Sequence, residues 1–158
     1  MLYCFDTSAF MDAWSRHYPP DVFPGLWTEL DRLAANGGII APDEVLRELG
    51  KKDDELHGWS KARAAMFIAP DAAQQQLVRD TLSRFPRLVD TRKGRSGADP
   101  FVIALAKARS AVVVTGEKNE GTLDKPRIPT VCEALDVEYM NMLQFIRRNR
   151  WTFLSLSG

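Results

Sequence analysis

The chain has 158 residues, 45% hydrophobic and 27% charged, which is typical of a globular protein that can bury a core. Lysine plus arginine and aspartate plus glutamate number 21 each, and this zero net charge argues against a histone-like, polybasic protein. The sequence shows neither a signal-peptide pattern nor a membrane-length apolar run, so we expect a cytoplasmic protein.

The first third of the chain predicts short buried strands that each lead into helices. Asp6-Thr7-Ser8 is a helix-capping sequence directly after an apolar run, and Asn36-Gly37-Gly38 is typical of a helix end. In chain order we predict a strand over Leu2–Phe5, helices over Ala9–Arg16 and Phe23–Ala35, a strand over Ile39–Ala41, and a helix over about Asp43–Leu49 that stops at Gly50.

The remaining elements follow from the same patterns. We predict helices over Asp54–Phe67 and Asp71–Phe85, a basic loop over Pro86–Gly97, a helix from Ala98 to Arg109, strands over Ala111–Thr115 and Arg127–Pro129, a helix over Tyr139–Arg150, and a closing strand or packed tail over Trp151–Leu156. This order predicts an α/β protein with a three-layer α/β/α arrangement and a mostly parallel sheet. Without an evident linker, residues 1–158 are expected to form one domain.

Acidic residues recur where the predicted strands end. Asp6 follows the first strand, Glu44 and Glu48 share one face of the helix after the second, Asp99 opens a later helix, and Glu117 lies just past its strand. The carboxyl ends of parallel strands form the usual ligand crevice. Clustered carboxylates there would suit Mg²⁺ or Mn²⁺, which can activate water for phosphodiester cleavage.

Each acid also has a structural interpretation. Asp6 and Asp99 are both well placed to cap a helix, and the glutamates are individually ordinary solvated charges. However, Val102, Ile103 and Ala106 lie three, four and seven residues after Asp99, so this acid continues an apolar stripe. That position favours a buried role for Asp99 over simple capping.

Four segments resemble, in order, the motifs of PIN-domain nucleases. They are Tyr3–Ser8, Pro42–Leu49, Ala98–Ala106 and Val112–Glu117. The chain looks closest to toxins of bacterial toxin–antitoxin pairs, and to a branch with a long helical insert, here about residues 51–85. The resemblance implies a PIN-like fold and an Mg²⁺- or Mn²⁺-dependent endoribonuclease, commonly a homodimer, that is silenced by a cognate antitoxin.

The resemblance also assigns residues. Asp6, Glu48 and Asp99 would be metal ligands and catalytic acids, Glu117 would complete the site, and Ser8 and Thr115 would support the acids by hydrogen bonds. Two positions stay open. Glu44 could replace Glu48. At the position of Glu117 the family more often has aspartate, so Asp124 or Glu120 could take that role instead.

Two further alternatives concern RNA. The basic loop contains Arg92, Lys93 and Arg95. These residues are either solvated charges or bind the phosphate backbone of an RNA substrate. The unusual Glu117 also leaves open a non-catalytic PIN-like scaffold that binds RNA or a protein partner.

Overall fold

A five-stranded parallel sheet forms the centre of the computed structural model, which describes residues 1–89 and 97–154. The strands are β1 (Tyr3–Phe5), β2 (Ile39–Pro42), β3 (Phe67–Ile68), β4 (Val112–Val114) and β5 (Tyr139–Met140), and their spatial order is β3-β2-β1-β4-β5. Every strand pairing is parallel. The predicted α/β class with a parallel sheet is therefore confirmed.

Helices flank this sheet. In the described residues they are α1 (Thr7–Asp12), α2 (Pro24–Ala35), α3 (Asp43–Lys52), α4 (Asp54–Lys61), α5 (Ala72–Arg84), α6 (Asp99–Arg109), α7 (Ile128–Ala134) and α8 (Met142–Arg148). The central strands β1, β2 and β4 are buried along their whole length, as apolar strands covered on both faces should be. None of the described helices is long and apolar enough to cross a membrane.

The order of the strands reverses beside β1. The chain runs from β1 to β2 and β3 on one side, and then returns to place β4 and β5 on the other side. In open parallel sheets, the carboxyl ends of the strands at such a reversal form a crevice. The segments after β1 and β4 therefore border the place where a ligand is expected.

Two predicted elements near the C-terminus are wrong. Arg127–Pro129 is not a strand, because Pro129 occupies the first turn of α7 and its fixed φ angle suits that position. The single helix predicted over Tyr139–Arg150 is also wrong at its start. Its first two residues form β5, and Asn141 then caps α8 through its side chain.

Other boundaries differ through local capping. The helix predicted over Asp54–Phe67 ends at Lys61, and Phe67 instead begins β3, so residues 51–85 add an edge strand as well as helices. The predicted stop at Gly50 is wrong because α3 continues through it to Lys52.

The ends of two further predictions also change. The helix predicted over Ala9–Arg16 starts at Thr7 and becomes π-helical over Ala13–His17. Of the predicted tail, residues 151–154 form no strand, while Trp151 packs edge-on against Phe145 with ring centroids 5.3 Å apart. Residues 155–156 lie outside the described residues.

Candidate functional site

Asp6 lies at the carboxyl end of β1, where the sheet register places Thr115 beside it. Phe5 pairs with Val114, so the next residue on each strand faces the same edge. Thr115 Oγ1 donates a hydrogen bond to Asp6 Oδ2, and Ser8 Oγ donates to both carboxylate oxygens at 2.9 and 2.8 Å. The backbone N–H of Ala9 donates to Asp6 Oδ1, so Asp6 also caps α1.

Asp6 is only 1% exposed, which makes the charge of its carboxyl group costly. Burial raises its pKa from 3.8 to about 7, and the nearby charge of Glu117 adds to the increase. The hydrogen bonds from Thr115, Ala9 and Ser8 lower the pKa, but they offset only part of this increase. Asp6 is therefore a buried acid whose negative charge lacks full compensation within the protein.

Asp99 is the first residue of α6, and it is also buried. Ala98 occupies the capping position, and its methyl side chain supplies no capping hydrogen bond. Val102, Ile103 and Ala106 are fully buried, as the apolar stripe predicted. The helix packs against β1, which carries Asp99 to the same edge as Asp6.

The two glutamates of α3 have different surroundings. Glu48 accepts hydrogen bonds from Thr7 Oγ1 at 2.6 Å and from the backbone N–H of Ala98 at 3.2 Å. These donors are the residues next to Asp6 and Asp99. Glu44 instead forms an ion pair at 2.6 Å with the exposed side chain of Arg47.

The surroundings of Glu117 differ from those of the alternative fourth acids. Its charge contributes to the raised pKa of Asp6, and its Oε2 accepts the backbone N–H of Ile128 at 2.8 Å. Asp124 is 81% exposed and forms an ion pair with Arg87, and Glu120 is exposed as well.

A cavity of about 420 Å³ collects these groups at the edge of the sheet. Asp6, Asp99 and Glu117 come from three separate segments and line it together. Its described lining does not include Glu48, Glu44, Asp124 or Glu120. The structure thus brings three of the four favoured acids to one cavity, with Glu48 directly behind Thr7 in its wall.

The same cavity is lined by three charged residues that the sequence analysis missed, Asp12, Arg16 and Lys52. Asp12 forms a long ion pair of 3.9 Å with Arg16, whereas Lys52 has no ion pair among the described residues. Helical spacing could have identified two of them. Asp12 lies four residues after Ser8, and Lys52 lies four residues after Glu48.

The carboxylate of Asp12 lies against Gly116. A Cβ atom at residue 116 would overlap Asp12 Oδ2 and would also lie 3.2 Å from the backbone oxygen of Ser8. Ser8 Oγ accepts the backbone N–H of Gly116 at 2.9 Å, which ties α1 to the segment after β4. Asp12 is followed by the π-helical turn over Ala13–His17, a feature that is frequent at functional sites.

The chemistry of these donors can be compared with what a divalent cation requires. Within residues 1–89 and 97–154, no group of three or more His, Cys, Asp or Glu side chains is arranged to hold a metal ion. Mg²⁺, however, commonly keeps several waters and binds through one or two carboxylates together with substrate phosphates. The oxygen donors of Asp6, Asp99 and Glu117 around one cavity fit that mode.

The remaining candidates lie elsewhere. Arg92, Lys93 and Arg95 are outside the described residues, so their relation to the cavity stays a prediction. Cys4 and Cys132 are free and buried, as small core residues.

Comparisons with known proteins give a family and a fold. A profile of the family described as domain of unknown function DUF4411 matches residues 3–153. No curated protein sequence matches the chain significantly. A chain in the crystal structure of VapBC2 from Rickettsia felis bound to a DNA fragment from their promoter superposes with a TM-score of 0.54 and 19% identity, over 89% of this chain and 98% of that one. At this identity the likeness shows a shared fold.

Proposed function

We propose that this chain, which belongs to the DUF4411 family, is a metal-dependent endoribonuclease of the PIN type. The observation that carries the proposal is the convergence of Asp6, Asp99 and Glu117 on one cavity at the carboxyl edge of the sheet. Asp6 is more than 90 residues before Asp99 and Glu117 in sequence, and a purely structural role would not require the three acids to share a cavity.

The acids would hold Mg²⁺ or Mn²⁺, which would supply charge neutralisation and water activation for phosphodiester hydrolysis. Ser8 and Thr115 fix the carboxylate of Asp6 by hydrogen bonds. Glu48 positions the two buried acids. Its carboxylate accepts hydrogen bonds from Thr7 and from the backbone N–H of Ala98, which are the residues next to those acids.

The basic residues around the cavity would bind the RNA backbone. Lys52 and Arg16 line the cavity and provide positive charge next to its acids. In this proposal they contact the phosphates on either side of the scissile bond, together with Arg92, Lys93 and Arg95 of the basic loop.

A biological role is also part of this proposal. The resemblance to PIN-domain toxins, together with the shared fold with VapBC2, supports a role as the toxin of a toxin–antitoxin pair. A cognate antitoxin, a homodimeric assembly and a cytoplasmic location belong to this proposal.

Cleavage of RNA by the purified chain tests the proposal. The wild-type protein should cleave single-stranded RNA in Mg²⁺ or Mn²⁺, and Asp6→Asn should reduce the rate by more than about a hundredfold, as removal of a metal ligand commonly does. Asp124→Asn is the matched control, because this acid is exposed and paired with Arg87, and it should retain full activity.

A non-catalytic scaffold is the alternative, and the lack of a three-acid metal group among the described residues favours it. Such a scaffold would bind RNA without cleaving it in either metal. RNA binding with no cleavage by the wild-type protein would therefore replace the nuclease proposal with the scaffold.

A further inference from the structure

A second cavity adjoins the acidic one. It has a volume of about 480 Å³ and lies at the carboxyl ends of β4 and β5, against the π-helical turn that follows α1. Asp12 and Glu117 line both cavities, so they form a shared wall. A ligand whose phosphate group occupies the acidic cavity could therefore extend directly into this second space.

The second cavity combines flat and apolar surfaces. Tyr18 and Tyr139 line it, together with Met140 and Met142. The hydroxyl of Tyr139 donates to Glu133 at 2.8 Å, which restrains the ring. Unstacked bases of single-stranded RNA commonly pack on such aromatic side chains. Its volume also falls within the usual range for small-ligand pockets.

Its polar lining combines the carboxylates of Asp12 and Glu117, at the wall shared with the first cavity, with the amide side chains of Asn141 and Gln144. Asn141 Oδ1 accepts the backbone N–H of Gln144, and Gln144 Oε1 accepts the backbone N–H of Asn141. This reciprocal pair fixes both amide orientations, so each side-chain NH₂ group points away from its backbone partner. Neither NH₂ group has a hydrogen-bond partner in the described part of the chain. Lys118, which is exposed at the cavity, adds a cationic donor.

We propose that this cavity binds the base of the nucleotide next to the scissile phosphate and prefers guanine to adenine. Guanine presents two neighbouring acceptors, O6 and N7, whereas adenine replaces the first of these with an amino donor. The available amide donors of Asn141 and Gln144, together with Lys118, therefore favour guanine. This inference rests on the proposed nuclease function for the position of the scissile phosphate, while the base preference rests on the cavity itself.

Equilibrium binding of GMP and AMP to the full chain, without divalent ions, tests the preference. We expect GMP to bind about five- to tenfold more tightly than AMP, the range that one hydrogen-bond difference supplies. Gln144→Glu retains the acceptor for the backbone N–H of Asn141 but replaces the amide donor with an acceptor, so the preference should disappear or reverse. Gln75→Glu, on the exposed face of α5, adds the same charge and should keep the preference.

These measurements separate the inference from the nuclease proposal, because a mononucleotide contains no phosphodiester bond for the enzyme to cleave. Preferential GMP binding in a protein without RNase activity would support the base cavity and overturn only the nuclease. Equal affinities for GMP and AMP, or a preference unchanged by Gln144→Glu, would overturn the base cavity. Absence of saturable binding of either nucleotide would overturn it as well and would leave this surface to a protein segment.

Discussion

The buried carboxyl group of Asp6 links stability to pH in the metal-free protein. With a pKa of about 7 in the folded chain and 3.8 as its ordinary value, the folded state holds a proton that the unfolded state has released between these two values. The folded state then binds more protons, so the free energy of unfolding contributed by this group falls as the pH rises through that window.

We therefore predict that Asp6→Asn reduces this loss of stability. Urea unfolding in EDTA at about pH 4.5 and about pH 8 should show a smaller decrease for the variant than for the wild-type protein. Asp124→Asn should retain the wild-type decrease, since its carboxyl group is largely exposed. If the free energy of unfolding falls as much in Asp6→Asn as in the wild-type protein, the pH dependence comes from other groups.

A paired substitution on α3 separates its two glutamates. Glu48→Gln weakens the hydrogen bonds to Thr7 and Ala98 beside the buried acids, so it should lower the rate of RNA cleavage. Glu44→Gln removes only a partly exposed ion pair with Arg47, so it should keep the rate and change stability by less than about 1 kcal/mol. Rate measurements that show the larger loss for Glu44→Gln would reverse the assignment.

Capping and site formation coincide at Asp6, although the sequence presents them as alternatives. The same carboxylate caps α1 and lines the acidic cavity. Asp99 could be placed from the sequence because the apolar stripe after it showed which face of α6 is buried. Helical spacing places Asp12 and Lys52 on the same faces as Ser8 and Glu48, but it does not decide their roles, because a charge at helical spacing usually faces solvent.

At the scale of elements, the contact between α1 and the segment after β4 depends on Gly116. Gly116→Ala would place a methyl group onto the carboxylate of Asp12, so we predict lower stability and slower RNA cleavage. Gly58→Ala is the matched control. It lies within α4 with open space around it, and should raise stability by about 0.5–1 kcal/mol because alanine favours the helix. Thermal unfolding of both variants checks these opposite signs.

A normal unfolding temperature and normal cleavage for Gly116→Ala would show that Asp12 can move away without consequence. In that case the close approach of α1 to Gly116 would have no part in the site.

Short elements limited the prediction of structure more than long ones. β4 was evident from its run of valines, whereas β5 has only two residues and directly precedes α8, so its pattern merges with that of the helix. α7 was missed because its first turn contains Ile128 and Pro129, which also fit a short strand. Such two- to three-residue signals are decided by tertiary pairing, which a local pattern does not contain.

At the scale of the whole molecule, the site results from the return of the chain across the sheet. The sequence supports a parallel α/β fold with acids at its strand ends, and that class is confirmed. The strand order β3-β2-β1-β4-β5 is not evident from periodicity, yet it is what places Asp6 and Thr115 on neighbouring strands. The second cavity likewise depends on β5 lying beside β4.

Calorimetric titration with Mn²⁺ tests most directly whether the acids at this edge form a cation site. We predict saturable binding of Mn²⁺ by the wild-type chain, at least about tenfold weaker binding by Asp6→Asn and by Asp99→Asn, and wild-type binding by Asp124→Asn. Equal Mn²⁺ affinity in the wild-type, Asp6→Asn and Asp99→Asn proteins, or no binding by any of them, would contradict the account.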